Sequence, residues 1–342
     1  MRNLLKAGLA CVALASTPAL LCAWDYPGHR IVNELALQSL PADFPGFVHE
    51  PENAERIAFL AGEPDRWRNS QDLTLQHDNG LDHYIDLEEL ADAGLDPATI
   101  SPFRYEFAAQ FAAGRAAHPD RFPPIIAARD LDRSREWPGF LPWAIAENYA
   151  KLKSAFSYLK EFERAGTPGE VANARANVVY VMGVLGHFVG DGSQPLHTTV
   201  HFNGWVGPNP SGYTTRTSLH AWIDGGFIAR AGITFAEVAP GLAGATPLDL
   251  NPRTDGRNPV FADVLDYLIA QNLQVEPLYQ LERDGKFLAD GSPGSRDGRI
   301  FIDAQLLRGG QMLGSIWLTA WRQAGPDMYL RSQLAKRSFS PK

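Results

Sequence analysis

The sequence predicts an all-α protein built as one helical domain. Apolar residues recur at helical spacing in several long segments. No strand–turn–strand series, Gly-rich phosphate loop or internal repeat of about 20–50 residues is visible in the sequence. The chain has 342 residues, of which 45% are hydrophobic and 20% are charged. A chain of this size and composition can bury a sizeable core.

The first 23 residues are typical of a secretory signal peptide. Arg2 and Lys6 precede an apolar run from Ala7 to Leu21, and the segment ends at Ala23, a small residue suited to cleavage. A membrane anchor is the alternative, but the run is shorter than the ~20 residues that span a bilayer. A lipoprotein signal at Cys22 lacks the small residues expected before it. We expect cleavage after Ala23, secreted or periplasmic localisation without stable membrane insertion, and a mature domain of residues 24–342.

Removal of this segment decides the cysteine content and the charge of the mature chain. Both cysteines, Cys11 and Cys22, lie within it, so the mature chain has no disulfide and no thiolate ligand. Without Arg2 and Lys6, 29 basic residues remain against 39 acidic ones, a net charge of −10. Such a chain does not bind nucleic acid through a basic surface. Any metal must be held by His, Asp, Glu or backbone atoms.

The helices of the N-terminal half follow from apolar spacing and from start signals. After Trp24, the residues Ile31, Leu35 and Leu40 recur at roughly helical spacing. A Pro-rich loop, FPPIIAARD to REWPGF, separates two further helical segments. Thr167-Pro168-Gly169 is a strong helix start, and Pro195 ends the long helix that follows. We predict helices at 53–62, 99–116, 142–164 and 167–194 in addition to the first.

The C-terminal half predicts further helices. A helix around His220 continues to about Ala239, and residues 240–258 form a loop. Two more helices are expected at 259–281 and 300–323, and the segment between them carries no obvious chemistry. The aromatic, Gly- and Pro-rich loop from His201 to Arg216 lies between two candidate metal motifs, so we expect it to form a pocket wall.

The strongest chemical motif is GHFVGDGSQPLH, residues 186–197. His187 and Asp191 are four apart and share one helix face, and His197 follows the helix end. A hydrogen-bonded polar pair inside the core would explain one such pattern. The same spacing recurs in His220 and Asp224, beside large apolar residues. These two pairs and His197 together give five N or O donors, which favours a Zn²⁺ site.

Other segments hold candidate ligands that remain ambiguous when each is taken alone. Trp24, as a new N-terminus, and His29 can chelate through an amine and an imidazole. Asp65 can cap a helix or serve as a ligand beside nearby arginines. In LDHYIDLEEL, His83 adds one more imidazole. Tyr84 is either a core aromatic or a substrate contact, and Asp86 is either a helix N-cap or a functional carboxylate.

Together these motifs resemble the zinc-dependent class I nuclease and phospholipase C superfamily, which includes mung bean nuclease. The order of Trp-x4-His, Asp, His-Tyr-Ile-Asp, His-x3-Asp-x5-His and His-x3-Asp matches across residues 24–224. The resemblance implies an all-helical fold that cradles three zinc ions. By analogy the first ion takes Asp65, His83, His187 and Asp191, the second takes His197, His220 and Asp224, and the third takes Trp24 and His29, with Asp191 bridging.

The same resemblance implies the chemistry. A zinc-activated hydroxide would attack a phosphodiester, because zinc lowers the pKa of bound water to about 7. Catalytic roles are implied for Arg68, Asp65 and Asp191, and substrate contacts for Tyr84 and Asp86, which would hold a base. His201 is a further expected substrate contact, from its nearness to His197 in the sequence.

The motifs do not decide which branch of the superfamily the chain resembles more, and therefore leave its substrate open. The short Trp-x4-His spacing and the aspartate at Asp224 resemble the nucleases, which cut single-stranded DNA or RNA to 5′-phosphorylated products. The loop HFNGWVGPNPSGY departs from the Gly-Gly-Asn loop of the fungal and plant nucleases. The alternatives are a phospholipase C acting on phospholipid head groups and a non-catalytic periplasmic zinc-binding protein. No protein partner is evident from the sequence.

Overall fold

The computed structural model describes residues 24–288, 290–292 and 294–337. The predicted signal peptide, residues 1–23, lies outside them. The α-helices are α1 Tyr26–Ser39, α2 Pro51–Leu60, α3 Glu63–Arg68, α4 Leu73–Gly80, α5 Leu87–Asp92, α6 Arg104–Ala117, α7 Leu141–Ala165, α8 Pro168–Ser193, α9 Leu219–Ala221, α10 Phe227–Ala231, α11 Phe235–Val238, α12 Pro259–Asn272, α13 Val275–Arg283, α14 Ser295–Gln323 and α15 Met328–Arg337. Within the described ranges there is no β-strand, and the helices form a single domain. The predicted all-α class is therefore confirmed.

Helix α8 lies at the centre of the fold. It packs against α7, α14, α2, α1 and α12. A capping box starts it, because Thr167 accepts from the Glu170 amide and the Glu170 carboxylate accepts from the Thr167 amide. From residue 182 to residue 193 every side chain is buried. A helix that is buried on all sides at one end can bring polar side chains into the middle of the core.

Two glycines of α8 explain how neighbouring helices approach its buried end. A Cβ at Gly183 would lie 2.9 Å from the Ile57 carbonyl oxygen in α2. A Cβ at Gly190 would lie 2.7 Å from Nδ1 of His29 in α1. Real Cβ atoms do not make such contacts, so glycine at these positions permits the close packing that the sequence only suggested. The consequence is that α1 and α8 present side chains to the same point.

The long helices α1, α7, α8 and α14 complete the core around this point. Residues of α1 pack along α14, where Gly310 leaves room for Leu35. Lys160 of α7 donates to the Trp321 and Ala324 carbonyl oxygens, 2.9 and 2.7 Å away. A lysine at these carbonyls satisfies acceptors that the end of α14 leaves free. The described chain contains no helix long and apolar enough to cross a membrane.

Most predicted long helices are present, with local differences. The expected helix from His220 to Ala239 is interrupted. A π-helix, Trp222–Gly226, continues α9, and Gly232 then ends α10 with φ +64°. The expected helix at 259–281 is divided into α12 and α13, and α14 begins five residues earlier than predicted. The short helices α3 and α4 and the C-terminal α15 had no periodic signal long enough to predict, whereas the start of α5 agrees with the N-cap interpretation of Asp86.

Candidate metal centre

The predicted ligands converge from separate parts of the chain. Helices α1 and α3 each carry one ligand, and the buried end of α8 carries two. The 3₁₀ turn before α5 and the 3₁₀ turn Pro195–Thr198 each carry one, and the segment formed by α9 and the π-helix carries two. Nearly all of these side chains are buried, and the least buried carboxylate is 13% exposed. The side chains are His29, Asp65, His83, His187, Asp191, His197, His220 and Asp224. Three sets of them lie close enough to hold a metal ion.

The first set joins Asp65, His83 and His187, and Asp191 extends it. Nδ1 of His83 lies 2.9 Å from Nε2 of His187. One oxygen of Asp191, Oδ2, is 3.0 Å from the first nitrogen and 3.2 Å from the second. Oδ1 of Asp65 is 3.9 Å from each. Four ligands at zinc bond lengths in a tetrahedron are spaced by about 3.3 Å, so these four atoms suit one ion.

The second set joins His197, His220 and Asp224. The two Nε2 atoms are 2.9 Å apart, and Oδ2 of Asp224 is 2.8 Å from Nε2 of His220. The other oxygen of Asp224 accepts a hydrogen bond from the Gln194 side chain. Gln194 also accepts from the Leu196 amide at 2.8 Å, so it ties the turn that carries His197 to the carboxylate of the π-helix.

The third set joins His29, His187 and Asp191. Nε2 of His29 is 3.4 Å from Oδ1 of Asp191, and the two imidazole rings stack with centroids 4.0 Å apart. Asp191 therefore faces the first set with one oxygen and the third with the other. Trp24 is fully buried beside this helix end, and its indole donates to Ser193 at 2.8 Å.

Several polar atoms of these sets lack a hydrogen-bond partner among the described residues. Oδ1 of Asp65, Oδ1 of Asp191, both ring nitrogens of His29 and Oδ2 of Asp224 are buried without a hydrogen bond among the described residues. Buried carboxylates without a partner are strongly unfavourable. Cations bound between these N and O donors would remove that cost. The residues present thus fit a centre with several metal ions.

Hydrogen bonds outside the sets fix two of the imidazoles. Nδ1 of His187 donates to the Ala61 carbonyl oxygen at 2.6 Å, and Nδ1 of His197 donates to the His83 carbonyl oxygen at 2.7 Å. With the proton on Nδ1, the lone pair of Nε2 points into the set. This arrangement, in which a backbone acceptor orients a ligating imidazole, is usual around protein metal sites.

At His83, His220 and Asp191 the local electrostatics favour the ligating form. Burial, followed by the positive charge of Arg68, lowers the pKa of His83 to about 4 and that of His220 to about 3. Burial would raise the pKa of Asp191, but the imidazoles of His187 and His197 outweigh it and hold this pKa well below its usual range. Neutral imidazoles and an ionised carboxylate are the forms that bind metals.

A cavity of about 1100 Å³ opens beside the centre. His197 and His220 contribute to its wall, and so do three of the predicted functional residues, Arg68, Tyr84 and Asp86. Nε of Arg68 lies 3.4 Å from Oδ1 of Asp65, so the guanidinium is at the edge of the first set. Asp86 precedes α5, but its side chain makes no capping hydrogen bond.

His201 lies elsewhere than the other predicted contacts. It is not among the residues that line the large cavity. Its ring stacks on Trp205 with centroids 3.9 Å apart, and its Nδ1 accepts from the Val206 amide at 3.1 Å. Its visible role is to order the loop 201–216. Substrate contact by His201 stays a prediction.

Sequence reasoning missed several residues around the cavity. Arg121, Arg129, Arg135 and Trp137 line it from the Pro-rich segment between α6 and α7. The composition of that segment predicted a loop but gave no sign of where the loop would lie. Gln194 was also missed, although its place within the GHFVGDGSQPLH motif could have indicated a supporting role.

The comparisons with known proteins do not assign the chain. No family model matches it, and no curated protein matches it significantly. The resemblance drawn from the order of the motifs therefore stays a prediction.

Proposed function

We propose that the chain is an exported zinc-dependent phosphodiesterase of the class I nuclease and phospholipase C type, which acts on single-stranded nucleic acid. One observation carries the proposal. Two of the three donor sets are joined by Asp191, and His197 and His220 of the remaining set line a large cavity whose wall also holds Arg68. Protein donors alone would fill a site built for storage, whereas a centre exposed to a cavity leaves room for substrate.

The donor set favours zinc over Mg²⁺ and Ca²⁺. Five imidazoles and three carboxylates, without a thiolate in the mature chain, suit Zn²⁺, and Mg²⁺ or Ca²⁺ prefer oxygen ligands throughout. Cleavage after Ala23 would free the amine of Trp24, which the resemblance to the nuclease family pairs with His29 at the third ion. When bound, the ions supply a Lewis acid and lower the pKa of a coordinated water to about 7.

The residues of this chain would then bind and orient the phosphodiester. Arg68 places a guanidinium at the edge of the first set, where it can pair with phosphate oxygens and stabilise developing negative charge. Tyr84 and Asp86 face the same cavity, where a ring can stack on a base and a carboxyl can hydrogen-bond to it. Recognition by stacking also suits a chain whose net charge is −8.

A phospholipase C is the second candidate, and one observation favours it. Ile125, Ile126 and Val206 line the cavity and are 41%, 54% and 58% exposed. Exposed apolar side chains at the rim of a site can contact acyl chains or a lipid surface. Nucleobases can also lie on such side chains, so the rim alone does not separate the two substrates.

The decisive experiment compares substrates on one preparation. Protein beginning at Trp24 and loaded with zinc is given single-stranded DNA, RNA and phosphatidylcholine vesicles. Release of nucleotides supports the nuclease, and release of diacylglycerol without nucleotides supports the phospholipase. His187→Ala should abolish either activity, because the imidazole of His187 belongs to two donor sets. The control variant His49→Ala, at an exposed position outside the three sets, should retain the activity. Bound zinc without turnover of any of the three would refute both enzymatic functions.

A further inference from the structure

A carboxylate that belongs to none of the donor sets lies beside them. Asp25 occupies the N-cap position of α1, where an aspartate normally accepts from the second or third helical amide. Its side chain makes no such bond. Pro27 has no amide hydrogen to give, and the Gly28 amide donates to the Asp25 backbone oxygen at 2.7 Å. The capping position is therefore filled by backbone, and the carboxylate is free for another role.

The carboxylate is held against the segment that carries the second set. The Asp25 amide donates to the Asp224 carbonyl oxygen at 3.1 Å, within the π-helix. The side chain lies so close to the backbone of Gly225 that a methyl group there would overlap it, and the three atoms nearest to that methyl all belong to Asp25. π-Helical turns are frequent at functional sites. Here the turn provides the glycine surface on which Asp25 packs.

Like charges surround this carboxylate. The Asp65 carboxylate lies near enough to act on Asp25 electrostatically, and Asp224 is joined to Asp25 by the backbone hydrogen bond and by the contact at Gly225. Among the described residues the carboxylate has no hydrogen-bond or ion-pair partner. Three carboxylates gathered in this way repel one another unless positive charge lies among them. The orphaned oxygens of Asp65 and Asp224 point to cations as that charge.

We propose that Asp25 is a positioning residue of the metal centre, whose carboxylate would accept hydrogen bonds from groups bound to the cations that Asp65 and Asp224 would hold. It is an outer partner and not a ligand, because it is exposed and stands outside the sets of converging donor atoms. Outer partners of this kind typically contribute 10–100-fold to metal affinity. The inference rests on the proposed metal centre but does not depend on the substrate.

The test measures zinc affinity by competition with a chromophoric chelator, together with the absorption spectrum of the Co²⁺-substituted protein. Asp25→Asn should weaken the binding of at least one ion about 10–100-fold and shift the Co²⁺ spectrum. Glu34→Gln, a matched change on α1 at a carboxylate paired with Arg30, should do neither. In excess chelator, Asp25→Asn should have the same melting temperature as the wild type. This result would separate an effect on metal positioning from a general loss of stability.

Gly225→Ala reaches the same carboxylate from the other side. Its methyl group should displace Asp25 and reproduce the affinity loss of Asp25→Asn. In an Asp25→Gly background the same change should have little further effect, because the atoms it would meet are gone. Additive losses in that double variant, or wild-type affinity in Asp25→Asn, would overturn the inference while leaving the metal centre intact. A wild-type protein that binds no zinc would overturn both.

Discussion

The two oxygens of Asp191 lead to a prediction about how many ions one side chain holds. Oδ2 faces His83 and His187 in the first set, and Oδ1 faces His29 in the third. Asp224 serves only the second set. Replacement of either aspartate by alanine removes one carboxylate. Asp191→Ala should therefore weaken two ions, and Asp224→Ala should weaken one.

The magnitude follows from the number of sites lost. If removal of a charged ligand weakens a site at least 100-fold, each affected site loses about 2.7 kcal/mol of binding free energy. At saturating zinc this loss appears as lost stability of the folded state. Asp191→Ala should then lose about 5 kcal/mol of zinc-linked stability, and Asp224→Ala about 3 kcal/mol. The stability of each variant in excess chelator is the reference.

Two measurements check this difference. Elemental analysis after dialysis against a weak chelator counts the ions retained by each variant, and thermal unfolding with and without zinc gives the linked stability. Wild type should keep about three equivalents, Asp224→Ala about two and Asp191→Ala about one. Equal losses in the two variants would refute the bridging role of Asp191. Equal unfolding temperatures with and without zinc in the wild type would refute the centre itself.

Two further predictions concern packing and pH. Gly190→Ala places a methyl group 2.7 Å from Nδ1 of His29 and should reduce the zinc affinity measured by chelator competition. The control Gly169→Ala in the same helix places its methyl group where no atom lies within 4 Å, so the zinc affinity should not change. The buried Glu161 accepts from Arg331 at 2.6 and 3.0 Å, and these bonds lower its pKa. The pair therefore stabilises the fold above the ordinary glutamate pKa of 4.5, and this contribution disappears as the pH falls through the lowered folded-state pKa. Glu161→Gln should cost about 1–3 kcal/mol at pH 7 in chemical denaturation, and a cost that persists undiminished in acid would contradict the assignment.

The sequence predicted the donors better than their arrangement. The spacing of four residues placed His187 with Asp191 and His220 with Asp224, because neighbours at this spacing share a helix face. Both pairs are close in the structure. Spacing along the chain carries no information about how separate helices meet, so the contact of His29 with Asp191 came only from the resemblance.

Long helices were also easier to predict than the short segments that complete the site. Helix α8 has a clear start signal and a long apolar run, and both reflect local physics. Asp65 lies on a helix of six residues, which is too short for apolar periodicity to show. The π-helix around Asp224 packs against Asp25, a contact across about two hundred residues of sequence. Such features follow from tertiary structure and not from local pattern.

The division of the cavity between helices and one loop has an evolutionary consequence. The donors come mainly from buried helix ends and the short turns packed on them, whereas much of the cavity wall comes from the exposed, Pro-rich segment between α6 and α7. Substitutions in a surface loop disturb folding far less than substitutions in a core. Descendants of this chain could therefore exchange the loop and alter what the cavity accepts while inheriting the same donor side chains unchanged.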